Sequence, residues 1–173
     1  KNGSLEKQIR DRDLRGITSN PAIFGQAIGG SAAYDGQIAE GARRGRTSAQ
    51  IYEDLTCQDI RDACDILMPV YQQTDGADGF VSLEVSPMLA RDTEGSIAEG
   101  VHLAKLVNRP NLMIKIPGTA EGVPAVEELL FRAVFVAIPV RLGGWPFWPV
   151  AAFSALMFAS THVPWNAQFG FEH

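Results

Sequence analysis

Asn111-Leu-Met-Ile-Lys-Ile-Pro117 places a lysine inside an aliphatic run. Leu112, Met113, Ile114 and Ile116 give the stretch the composition of a short buried strand, and Pro117 ends it. An ammonium in apolar surroundings costs several kcal/mol unless it is paired or neutralised. The same desolvation lowers a lysine's pKa and frees its amine as a nucleophile. Lys115 is therefore a candidate for imine formation with a carbonyl compound. A plainer reading is a lysine that guards a sheet edge or snorkels to water on its long stem.

Two further stretches bear on the choice. Side chains alternate faces along a strand. In Asp13-Leu-Arg-Gly-Ile-Thr-Ser-Asn-Pro21, a strand over 14–20 puts Leu14, Gly16, Thr18 and Asn20 on one face and Ile17 on the other. In Gly79-Phe-Val-Ser-Leu-Glu-Val-Ser-Pro87, Val81, Leu83 and Val85 share a face opposite Phe80, Ser82 and Glu84. The lysine strand pairs Met113 with Lys115, opposite Leu112, Ile114 and Ile116. Proline closes the first two stretches as it closes the third. Each polar residue alone has a simple account: Glu84 as an exposed charge, Thr18 and Asn20 as turn chemistry before Pro21. Their shared parity near three strand ends points to a site. A helical pattern follows each strand, the alternation expected of a parallel sheet. In a (β/α) barrel, catalytic residues stand at the C-terminal strand ends.

These segments resemble the transaldolase family, in its bacterial branch near the actinobacterial and isomerase-fused forms. Gly16-Ile-Thr-Ser-Asn-Pro-Ala-Ile-Phe24, Val81-Ser-Leu-Glu-Val-Ser-Pro-Met-Leu-Ala90 and Arg109-Pro-Asn-Leu-Met-Ile-Lys-Ile-Pro-Gly-Thr119 carry the resemblance. Tyr34-Asp-Gly-Gln-Ile-Ala39 and Asp59-Ile-Arg-Asp-Ala-Cys-Asp65 add to it, and it covers about residues 3–132. The resemblance implies an α/β fold, a (β/α)₈ (TIM) barrel of which strands two to four with their helices are recognisable. It also implies transfer of a dihydroxyacetone unit between sugar phosphates in the cytoplasmic pentose phosphate pathway, a part of carbohydrate metabolism. Lys115 matches the family's Schiff-base lysine, Glu84 its water-assisted proton-transfer glutamate, and Thr18 and Asn20 the polar pair that meets the substrate. No metal and no organic cofactor is implied, because the iminium polarises the substrate.

The chain also departs from the family. It starts after the point where members have a first strand with an acid/base aspartate; Asp11 and Asp13 lie too close to the next strand to stand for it. Where members have a fifth strand, this chain reads Val134-Phe-Val-Ala-Ile-Pro-Val-Arg141, so that Ala137 and Pro139 replace an asparagine and a threonine. The later phosphate-binding arginines have no counterpart, and a barrel of this kind needs about 250 residues. Of the 35 charged residues, 33 lie in 1–132, while Trp145, Trp148 and Trp165 all lie beyond. The expectation is a partial barrel over 1–132 and a divergent apolar tail over 133–173, produced by a truncated gene or a changed reading frame. Glycines and prolines interrupt the uncharged run from Leu142 to Phe171. Its uninterrupted part, Val150 to Val163, falls short of the ~20 residues of a membrane span. The function expected is a weakly active or inactive transaldolase. The alternatives are a non-catalytic barrel remnant and another Schiff-base class I aldolase.

The remaining features bound the answer. A net charge of −5 and the lack of a basic stripe argue against nucleic acid. Arg43-Arg44-Gly45-Arg46 reads as a solvated loop. Cys57 and Cys64 lie seven apart on one helical pattern, roughly 10.5 Å of rise, too far for a disulfide. They read as buried thiols, and no His/Cys set suggests zinc. No secretory leader pattern opens the chain. Thr47 or Ser48 caps one helix, Thr56 with Asp59 caps the next, and Asp92 or Thr93 begins another whose stripe is Ile97, Val101, Ala104 and Leu106. Val123 to Leu130 reads as the helix after the lysine strand, with Pro124 in its first turn.

Overall fold

The computed structural model describes residues 3–131. The expectations for the tail, including its strand, its membrane propensity and its boundary at 133, lie outside the described residues.

Among the described residues six α-helices and three strands follow one another: α1 (Ser4–Arg12), β1 (Ile17–Thr18), α2 (Pro21–Gly29), α3 (Asp35–Arg43), α4 (Ser48–Gln73), β2 (Val81–Glu84), α5 (Thr93–Val107), β3 (Leu112–Lys115) and α6 (Gly122–Phe131). The strands form one parallel sheet in the order β1-β2-β3. Ile17 and Thr18 pair with Val81 and Ser82, and Val81 to Glu84 pair with Leu112 to Lys115. Regular strand at β1 is shorter than the 14–20 expected. Backbone bonds nonetheless extend the contact on both sides, from Gly79 N to Arg15 O and from Ser19 N to Ser82 O. Gly16 permits this approach, since a Cβ there would stand 3.0 Å from the Phe80 carbonyl oxygen.

The aliphatic stripe is buried as the alternation predicts. Val81, Leu83 and Val85 pack with Cys57, Ile60, Cys64 and Leu67 of α4 and with Leu103 and Val107 of α5. Each fully buried aliphatic side chain of this kind contributes about 1.5–3 kcal/mol. Thr18, Ser82, Glu84, Met113 and Lys115 share the opposite face, which is partly open among the described residues.

Two expectations about the helices need correction. Thr56 does not start a helix; α4 runs unbroken for 26 residues. Thr47 caps it in a reciprocal box with Gln50. The Thr56 hydroxyl is satisfied inside the helix, donating to the carbonyls of Tyr52 and Glu53. The buried stripe of α5 is Ser96, Gly100, Leu103 and Val107 rather than Ile97, Val101, Ala104 and Leu106. The physical reason is close packing: a Cβ on Gly100 would meet Leu129 at 3.3 Å and Ile114 at 3.4 Å. Gly100 thus lets α6 and β3 approach α5 closely, at a position that hydrophobicity alone did not mark.

Candidate active site

The register of the sheet delivers three of the four candidate residues to one spot. Glu84 and Lys115 are direct cross-strand partners, and Lys115 Nζ lies 2.9 Å from Glu84 Oε2. The same nitrogen donates to Thr18 Oγ1 at 3.3 Å and to the Ser19 carbonyl at 3.1 Å. An ammonium has three N–H donors, and three acceptors from two neighbouring strands surround this one. The Ser19 hydroxyl donates to the Ser82 carbonyl at 2.7 Å, holding the end of β1 against β2.

The ammonium is not buried alone, as its aliphatic flanks suggest. Its side chain is 38% exposed and that of Glu84 24%, because alternation turns Lys115 away from the helices. A pair this open contributes at most about 1 kcal/mol to stability. Its interest is positional.

Asn20 is placed differently. Its Oδ1 accepts from the Ile23 N–H at 2.8 Å and caps α2, with Pro21 at the first helical position. It joins Glu84, Ser86 and Glu99 around a cavity of about 470 Å³ that Tyr52 and Leu103 also line. Lys115 is not among its walls. Glu99 accepts from the Ser86 N–H at 2.9 Å and so braces the turn after β2.

Several contacts escaped sequence reasoning. Ser19 acts through its carbonyl, which no side-chain pattern signals. His102 Nε2 lies 3.0 Å from Glu53 Oε2, a pairing 49 residues apart in the chain. The Tyr34 hydroxyl donates to Asp59 at 2.6 Å, joining two of the segments that suggested the family. That bond to a carboxylate, with burial, pushes the tyrosine up to about 12. Arg109 donates to both carboxylate oxygens of Asp65, from Nε and Nη2 along one edge of its guanidinium, and holds that carboxyl below the usual range. Cys57 and Cys64 are buried and unbridged, and burial raises each thiol to about 11. Among the described residues, no group of three or more His, Cys, Asp or Glu side chains could hold a metal ion. No described helix is long and apolar enough to cross a membrane.

Comparison with known proteins gives this arrangement a context. The sequence model of the family Transaldolase/Fructose-6-phosphate aldolase matches residues 1–138. A second, Type II CAAX prenyl endopeptidase Rce1-like, matches residues 109–171, overlapping the first and running mostly through the undescribed tail. A transaldolase of Trichodesmium erythraeum is 49% identical over 136 residues, which are 79% of this chain and 36% of that protein. The transaldolase of Acidothermus cellulolyticus is 50% identical over 136 residues, covering 79% and 37%. That of Thermobifida fusca is 49% identical over 138 residues, covering 80% and 38%. The chain thus spans little more than a third of the length of these relatives. With the family match over four fifths of its residues, the chain belongs to the transaldolase/fructose-6-phosphate aldolase family.

Proposed function

We propose that these residues form part of a (β/α)₈ barrel that transfers a dihydroxyacetone unit between sugar phosphates, with Lys115 as the Schiff-base nucleophile. The observation that carries this is the convergence of Lys115, Glu84 and Thr18 at the C-terminal ends of adjacent parallel strands, where barrel enzymes hold their chemistry.

The Lys115 amine, once deprotonated, attacks the ketose carbonyl, and loss of water leaves an iminium. That cation withdraws electrons from the adjacent carbon–carbon bond. The bond breaks, an aldose phosphate departs, and its hydroxyl proton passes to a base. The enamine left on Lys115 adds to the carbonyl of a second aldose, and water then releases the new ketose and regenerates the amine. Glu84 is within hydrogen-bond reach of the nitrogen and serves proton transfer through a water as imine forms and hydrolyses. Thr18 orients the amine, and Asn20 meets the substrate from the start of α2. The setting is the pentose phosphate pathway of the cytoplasm. The chemistry at Lys115 needs neither metal nor organic cofactor.

The 173-residue polypeptide by itself is weakly active or inactive in this proposal, since it spans so little of its relatives' length. Reduction with borohydride in the presence of fructose 6-phosphate should attach a hexitol phosphate at Lys115, located by peptide mass spectrometry. Lys115→Ala should abolish that label. A coupled turnover assay should stay near background, because losing a single acid/base group lowers rates about 10²–10⁴-fold. A label that persists in Lys115→Ala would end the assignment of the nucleophile. Turnover near the ~10 s⁻¹ of a typical enzyme would end the claim that this polypeptide is impaired.

A further inference from the structure

The ends of the strands that meet at Lys115 are set by a node at their other end. Asn111 is fully buried at the entry to β3. Its Nδ2 donates to the Cys64 carbonyl of α4 and to the Gly79 carbonyl just before β2, both at 2.9 Å. Its own carbonyl accepts from Val81 N, the first rung between β2 and β3. Gly79 in turn donates its N–H to the Arg15 carbonyl at the entry to β1. Gly79 has φ +83°, and a Cβ there would stand 2.4 Å from Tyr71 N of α4. One carboxamide and one glycine therefore tie all three strands to each other and to α4.

Asn111 uses only half of its capacity. Its Oδ1 is buried without a hydrogen-bond partner among the described residues. Two carbonyl acceptors at the other end of the amide leave no choice of orientation, since only the nitrogen can face them. The carboxamide is thus a donor to two carbonyls, at the cost of an idle acceptor that an aliphatic side chain of similar size would not bring.

We propose that Asn111 is a positioning residue that sets the register of β3 against β2 and so places Lys115 opposite Glu84. A slip of one residue turns every side chain of a strand to the other face. Glu84 would then face Ile114 or Ile116, and Lys115 would point toward the helices. The role rests on Lys115 as the reacting amine only for its chemical consequence; the register itself is open to separate measurement.

The test compares Asn111→Leu, which removes both donated bonds, with Ile60→Ala, which weakens the same core without touching the node or the cavity beside Glu84. Exchange of the Val85 amide, which donates to the Lys115 carbonyl in the last rung, is followed by mass spectrometry. It should lose protection more than tenfold in Asn111→Leu beyond any loss in Ile60→Ala. Labelling of Lys115 with fructose 6-phosphate and borohydride should fall more than tenfold in Asn111→Leu alone. The pH profile of its residual labelling should coincide with that of Glu84→Gln, because the carboxylate no longer faces the amine. Should Asn111→Leu not fold, Asn111→Ser, whose hydroxyl keeps one donor, carries the same comparison with a smaller loss. Val85 protection and a labelling profile like those of the unaltered chain would overturn the proposal. Absence of label in the unaltered chain would instead count against Lys115 as nucleophile, while the exchange of Val85 would still decide the register.

Discussion

Glycine 79 shows how a residue without chemistry governs one with it. Its backbone sits at φ +83°, where a side chain is disfavoured by about 1–2 kcal/mol, and the nearest obstacle is the backbone of Tyr71. Overpacking adds about 1–3 kcal/mol more. Gly79→Ala should therefore destabilise the chain by roughly 2–4 kcal/mol, measured by urea unfolding. A loss under about 0.5 kcal/mol, the range of an indifferent surface change, would mean that the close approach to α4 is relieved without strain. The Asp75-Gly-Ala-Asp-Gly79 segment was legible as a loop from its glycines. The demand at this one position comes from Tyr71, which only the folded chain brings near.

At the scale of elements, the approach of β3 to α4 is guarded outside by Arg109 and Asp65 and inside by Asn111. Both hydrogen bonds from Arg109 hold the Asp65 carboxyl below its ordinary value. A carboxyl depressed in the folded state stabilises the fold above its unfolded pKa, about 3.9. That contribution disappears as pH falls through the depressed folded value, since the folded state resists protonation longer than the unfolded one. Arg109→Ala should therefore lower the melting temperature at pH 7, with the gap to the unaltered chain closing below about pH 4. A gap that stays constant down to pH 2 would show that the arginine acts through packing of its stem. The pair is well exposed, so the effect should be small and should shrink in salt.

Across the whole molecule, helices α4 and α5 close one face of the sheet around a core that includes both cysteines. Cys57 and Cys64 should resist thiol reagents in native buffer, because each is buried and its thiol is raised to about 11. Modification by a disulfide reagent should follow global unfolding and accelerate in denaturant. Stoichiometric reaction of either thiol at native pH within the mixing time would show that the α4 core opens locally. The other face, with Thr18, Glu84, Met113 and Lys115, is where the proposed barrel interior lies.

Much of this was readable in the chain alone. Alternation assigned Val81, Leu83 and Val85 to the core and Glu84 and Lys115 to the opposite face, because period-two geometry is local to a strand. The caps at Thr47 and Asp92 were readable because capping is settled within four residues. The family was readable from three segments of distinctive wording. Other features required the tertiary structure. Thr56 looked like a cap, yet a continuous buried stripe carried α4 through it. The stripe on α5 ran through Gly100, where Leu129 and Ile114 come too close for a larger residue. Asn20 capped α2 rather than reaching Lys115, and the carbonyl of Ser19 took the place beside the amine. The bonds that Asn20 and Thr56 make are local, within four residues. The seat of the Ser19 carbonyl and the close approach at Gly100 were decided by partners distant in the chain, through steric fit and hydrogen-bond supply that no local pattern records.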